Sequence, residues 1–138
     1  MRSLSLLLLA AAVAGCSTAP QQQTNSARAQ AEFQRLTATR VAGAPIRCIP
    51  SLKARQAQVV AADAGRVAFR DGVGSTIYVS QLRGGTCQQL NSSFYSLVTV
   101  GGGTFGLCSG EPARVVDLHN GVTVDSCVLG DFTPYRRR

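Results

Sequence analysis

Gly106-Leu107-Cys108-Ser109-Gly110 holds a cysteine between two glycines. This is the G-x-C-x-G spacing of a nucleophile elbow, with cysteine in place of serine. The chemistry it offers is attack of a thiolate on an ester or amide carbonyl, with the chain's one histidine, His119, as base. Such a thiolate needs its base close by and held by a third group, for which Asp117 and Asp125 are available. The context argues against it. Glu111-Pro112 follows too closely for a clean helix after the cysteine, and His119 falls in an Asn-Gly turn. Cys108 reads first as half of a disulfide. A cell-wall or small-ester hydrolase using Cys108 and His119 is the alternative.

Other motifs carry less. Gly101-Gly102-Gly103-Thr104-Phe105-Gly106 fits G-x-G-x-x-G, but a dinucleotide site needs a helix opening there, and "LCSGEPARVV" follows. A glycine-rich turn is the simpler reading. Asp117 and Asp125 flank the last turn and suggest a carboxylate pair for sugar chemistry, yet the chain has no Trp to stack a sugar. Asn91-Ser92-Ser93 matches a glycosylation sequon that most bacteria do not use. No catalytic, cofactor or metal residue is assigned.

The N-terminus gives an address. Met1-Arg2 is a short positive start, and Leu4 to Val13 is an apolar run broken only by Ser5. The run has signal-peptide length and is too short to span a bilayer. Val13-Ala14-Gly15-Cys16 then resembles the bacterial lipobox. The resemblance implies cleavage between Gly15 and Cys16 and a diacylglycerol thioether on Cys16. Several acyl chains at about 0.8 kcal/mol per methylene give stable anchoring. Ser17 rather than Asp after the cysteine favours the outer membrane, facing the periplasm, in a Gram-negative host.

Of 138 residues, 14 are basic and 7 acidic. Loss of residues 1–15 removes Arg2, so 13 basic residues face 7 acidic ones, a formal charge of +6. An anionic envelope component is therefore an expected partner, alongside the membrane held through Cys16. Nucleic acid is not expected outside the cytoplasm. The 123 residues left suffice for one domain. Four cysteines remain, Cys48, Cys87, Cys108 and Cys127. An exported chain places them in an oxidising compartment, so two disulfides are expected. Zinc is the rival, but no Cys-x-x-Cys knuckle occurs.

The elements that must position these residues are short. "QAQVVAAD", "RVAFRD", "STIYVSQL" and "FYSLVTV" are β-prone runs between turn signals. "ARVVDL", "HNG" and "VTVDSCVL" form the clearest hairpin. "SLKARQAQVV" starts as a helical turn. The pattern predicts a small all-β domain, sandwich-like or barrel-like, over residues 45–135. Residues 16–44 read as a lipid-anchored, flexible, partly helical tether, in which Phe33 and Leu36 share a thin apolar face. Arg136-Arg137-Arg138 reads as a solvated basic tail.

Three cysteine pairings are open. Cys87 with Cys108 and Cys48 with Cys127 is favoured. The first would close the "FYSLVTV" strand against the strand returning from "GGG", and the second would fasten the domain's ends. Cys108 with Cys127 is the main rival.

Cys48-Ile49, Ile77-Tyr78 with Leu82, Cys87 with Leu90, Leu107-Cys108 with Gly110-Glu111, and a closing Cys127-x-Leu129-Gly130-x-Phe132 together resemble a known pattern. It is that of a family of small exported bacterial proteins with four cysteines, many of them lipoproteins. The resemblance covers roughly residues 47–132. Family members more often carry Asp where Glu111 stands. The resemblance implies a domain boundary and a cysteine pattern, and no reaction. The expected function is a non-enzymatic, lipid-anchored envelope protein that binds or supports a partner. A carrier of an apolar ligand is a third class.

Overall fold

The computed structural model describes residues 19–72, 75–91, 93–100 and 106–138. The signal, Gly15, Cys16 and residues 101–105 of the glycine run lie outside them. Among the described residues the β-prone runs and the segments between them become eleven strands: β1 (Arg40–Ala42), β2 (Cys48–Ile49), β3 (Gln58–Ala62), β4 (Arg66–Arg70), β5 (Ile77–Gln81), β6 (Gly84–Gly85), β7 (Tyr95–Thr99), β8 (Leu107–Cys108), β9 (Pro112–Asp117), β10 (Thr123–Val128) and β11 (Phe132–Arg137). Helix α1 (Ala19–Thr37) precedes them, α2 (Ser51–Ala54) is a single turn after β2, and a 3-10 turn spans Gln88–Asn91. The domain is all-β in its main body, as its sequence predicts.

The strands form a five-stranded sheet in the order β1-β11-β5-β4-β3, a four-stranded sheet β6-β10-β9-β7, and a two-stranded ladder β2-β8. Every pairing is antiparallel. Turn chemistry fixes the hairpins. Asp63 accepts a hydrogen bond from the Gly65 amide at the β3–β4 turn. Gly121 adopts φ +73° in the Asn-Gly turn between β9 and β10, a conformation that suits glycine.

Period-two alternation decides which side chains meet. Val67 and Phe69 of β4, Tyr78 of β5 and Phe132 of β11 project from one face of the five-stranded sheet. They pack on Ala113 and Val115 of β9, Cys127 of β10, and Ile49 and Leu107 of the small ladder. The Phe69 and Phe132 rings meet edge to face at 6.0 Å. This is the core of a sandwich. Residues between them in sequence face the other way: Ala61, Ala68, Ile77 and Val79 form a second buried cluster, with Phe33 and Leu36 of α1.

That second cluster corrects the expected tether. Ala29, Phe33 and Leu36, at helical spacing, are 5%, 3% and 3% exposed. The stripe is thin, but the sheet presents alanines at the contact, which let the helix approach closely. The Arg66 guanidinium lies 4.2 Å above the Phe33 ring and is held by Asp63 at 2.6 Å. Beyond α1, β1 adds to the sheet edge, with Val41 opposite Arg136 and Arg40 opposite Arg137. Arg136 and Arg137 therefore belong to β11 and not to a free tail. The folded unit begins well before residue 45.

A buried clip joins the sheets' ends. Ser80, fully buried, donates its hydroxyl to the Gly130 carbonyl at 3.1 Å and accepts the Gly130 amide at 3.0 Å. A side chain on Gly130 would collide with the Gln81 carbonyl. With Leu129 and Phe132 both fully buried and Cys127 nearly so, the closing Cys-x-Leu-Gly-x-Phe segment is accounted for residue by residue.

Docking of α1 has a measurable consequence. Phe33→Ala is expected to destabilise the protein by about 3 kcal/mol, by loss of burial and a residual cavity. Leu52→Ala, at a 79% exposed position, should change stability by less than about 0.5 kcal/mol. Urea denaturation of both variants checks this, and equal small effects would contradict the docking.

Candidate functional site

The cysteines are paired by strand register. In the β2–β8 ladder Cys48 stands opposite Cys108 and Ile49 opposite Leu107. The Arg47 carbonyl accepts the Ser109 amide at 2.7 Å, so Cys48 and Cys108 fall at the narrow, non-hydrogen-bonded site of the ladder. Their Cα atoms are 4.0 Å apart and their sulfurs are bonded. Gly106 makes the approach: it has φ +101°, and a side chain there would collide with the Ile49 carbonyl. On the other sheet, β6 sets Gly85 opposite Cys127. Thr86 then donates its hydroxyl to Asp125 at 3.0 Å, and the chain delivers Cys87 to Cys127, with a Cα separation of 5.7 Å.

The observed bridges are thus Cys48–Cys108 and Cys87–Cys127. Both the favoured pairing, Cys87–Cys108 with Cys48–Cys127, and its rival are wrong. The reason is topological. The segment returning from the glycine run does not pair with β7, because β7 pairs with β9 and β8 crosses to β2. The domain's first and last strands are fastened by the β1–β11 ladder instead.

This arrangement removes the candidate nucleophile. Cys108 carries no thiol while bonded to Cys48. His119 is exposed at the β9–β10 turn, where its amide donates to Asp117 at 2.7 Å. Asp125 is opposite Val115 and is engaged by Thr86 and by the Ser126 amide, so Asp117 and Asp125 have separate structural partners. The four sulfurs are taken up in pairs, leaving neither a thiolate nucleophile nor a thiolate metal ligand among them. Glu111 braces the bridge. Its carboxylate accepts the Cys108 amide at 3.2 Å, and its own amide donates to the Cys108 carbonyl. Asn91 of the sequon is a clamp: its side chain bonds both the amide and the carbonyl of Ala62, on the edge strand β3.

Among the described residues, three surface features stand out as places where something could bind. A shallow groove of about 420 Å³ runs between the edges of β3 and β7, lined by Val59, Leu90, Tyr95 and Leu97 among others. The outside of the four-stranded sheet and its turns expose Phe94, Val98, Val100, Leu118, Val122 and Val124. The third feature is electrostatic. Arg28 and Arg35 of α1, Arg70 of β4, and Arg40 and Arg137 of the β1–β11 ladder are linked by charge through Glu32 and Arg40. Glu32 lies among them and is held by Arg35 at 2.9 Å. That hydrogen bond, together with the charges of Arg35, Arg70 and Arg28, keeps the Glu32 carboxyl below its usual pKa despite some burial. Burial, and after it the charges of Arg137, Arg70 and Arg35, lower the pKa of Arg40. Sequence reasoning missed this cluster. Its members come from four elements with no common spacing, and only the arginine excess hinted at it.

No family model, no curated protein and no solved structure matches the chain.

The bridges are checked by non-reducing proteolysis with mass mapping, which should yield linked peptides for Cys48–Cys108 and Cys87–Cys127. Replacing Cys48 and Cys108 together by Ala should cost up to roughly 4 kcal/mol by loop entropy. A linked Cys87–Cys108 peptide would contradict the topology.

Proposed function

We propose that this protein is a lipid-anchored component of the bacterial cell envelope with a non-enzymatic binding or supporting role. It would sit at the outer membrane, facing the periplasm, in a Gram-negative host. The observation that carries the reading is the conjunction of a lipobox ending in Cys16 with a domain whose other four cysteines form two disulfides. Disulfides persist where the surroundings are oxidising, and an exported chain meets that condition. The resemblance to small exported four-cysteine proteins supports the same address. The basic balance of the mature chain suits anionic envelope partners.

The role assigned to the fold is presentation. Cys16 would fix the chain to the leaflet, and α1, which begins at Ala19, leads directly into the sandwich. A helix docked on a sheet holds the domain at a more defined orientation than a flexible tether would. No free thiol remains on Cys108 to favour the hydrolase reading.

Metabolic labelling tests the anchor. The native chain should incorporate labelled palmitate and fractionate with membranes. The Cys16→Ser variant should lose the label entirely. Labelling that persists in that variant would defeat the proposal.

A further inference from the structure

We propose that Arg40, Arg70 and Arg137, with Arg35 beside them, form a binding site for a phosphate group with net negative charge, carried by an anionic phospholipid headgroup or by a free phosphate. The proposal rests on the envelope reading only for the source of the phosphate.

The argument begins with register. Arg40 and Arg137 are direct cross-strand partners. Like charges directly opposite one another destabilise a ladder, so this pairing works against the fold. Arg70 adds to it. Alternation along β4 puts Arg70 on the same face as Ala68, which is buried against α1. Tyr135 packs on that face too, and Arg137 lies two residues further along the same strand. Arg35 sits in the last turn of α1. Register and alternation thus set Arg40, Arg70 and Arg137 on the face that α1 covers, and the charges of Arg137, Arg70 and Arg35 all act on Arg40.

Acids do not balance them. Among the described residues the Glu32 carboxylate feels the charges of Arg35 and Arg70, and it is already engaged by Arg35. Asp71 follows Arg70 but projects to the opposite face, where it pairs with Lys53 at 3.5 Å. Asp63 is committed to Arg66. The local excess is positive.

The site is also partly organised. Arg40 donates to the Leu36 carbonyl at the end of α1 and, at 3.3 Å, to the Ser75 carbonyl. Its fork is therefore fixed before any ligand arrives. Part of its charge complements the helix C-terminus, which explains Arg40 but not Arg70 or Arg137. These two are exposed, and among the described residues neither donates to a carbonyl at the helix end. Planar guanidinium forks match phosphate oxygens two at a time, which a lysine ammonium does not. A phosphate would turn the repulsion between Arg40 and Arg137 into shared attraction.

The test is calorimetric titration of the mature full-length protein in a neutral detergent with three soluble probes. These are inorganic pyrophosphate, short-chain phosphatidylglycerol and short-chain phosphatidylcholine. Saturable binding of pyrophosphate or phosphatidylglycerol, and not of phosphatidylcholine, is expected. Binding of phosphatidylglycerol alone identifies a headgroup as the ligand, and binding of pyrophosphate alone identifies a free phosphate. The double variant Arg70→Gln/Arg137→Gln should bind roughly tenfold or more weakly, as expected for loss of charge-assisted contacts. Its thermal midpoint should hold or rise, because like-charge repulsion is relieved. Arg114→Gln, on the other sheet, should bind as the native protein does. Absence of binding by both anions overturns the proposal, and so does an equal loss in Arg114→Gln, which would mean diffuse attraction to net charge. If Cys16 proves not to be acylated, the titration still decides this site.

Discussion

The five-stranded sheet has two apolar faces, and everything else in the molecule follows from covering both. Val67, Phe69 and Tyr78 on one side and Ala68, Ile77 and Val79 on the other leave β4 and β5 with hardly an exposed position. A single face could be buried by the four-stranded sheet alone. The second requires α1, and so draws residues that look like a linker into the fold. Burial of Phe33 and Leu36 contributes on the order of 2 kcal/mol each. That is a substantial share of the stability of a domain this small.

The cover on the inner face is less continuous than a single large sheet, and it is here that covalent bonds enter. The β2–β8 ladder has only two residues in each strand. Such a ladder has little stability of its own. The Cys48–Cys108 bridge holds it across the core, where Ile49 and Leu107 fill space beside Phe132. Similarly, β6 is two glycines, and the Cys87–Cys127 bridge fixes the chain that leaves it. Each disulfide supports an element too short to support itself. The Ser80–Gly130 clip does the same work by hydrogen bonds, fully buried and paired in both directions.

Much of this was legible in the sequence. The strands of "QVVAA", "RVAFR", "IYVSQ" and "YSLVT", and the Asn-Gly hairpin, follow from β-branched residues and turn chemistry. The partnership of distant strands was not. Sequence gave no sign that β8 would cross to β2, because two-residue strands have no periodicity, and the pairing of the cysteines depends on that crossing. The docking of α1 was half visible: Phe33 and Leu36 share a face, but whether a thin stripe is used depends on the surface that receives it. Arg136 and Arg137 read as tail because a strand rich in arginine lacks the composition of a strand; its partner β1 supplied the missing reason. The arginine cluster was invisible for the same cause, since register across β1 and β11 is what brings Arg40 to Arg137.

If α1 is part of the fold, its amides cannot open without exposing Ala68, Ile77 and Val79. Native-state hydrogen exchange of the mature full-length protein tests this directly. The account predicts that amides from Phe33 to Thr37 exchange with protection approaching that of Val67 to Phe69 in β4. Exchange of the helix at the rate of an unfolded chain, while β4 stays protected, would show that the outer face is open and would contradict the account.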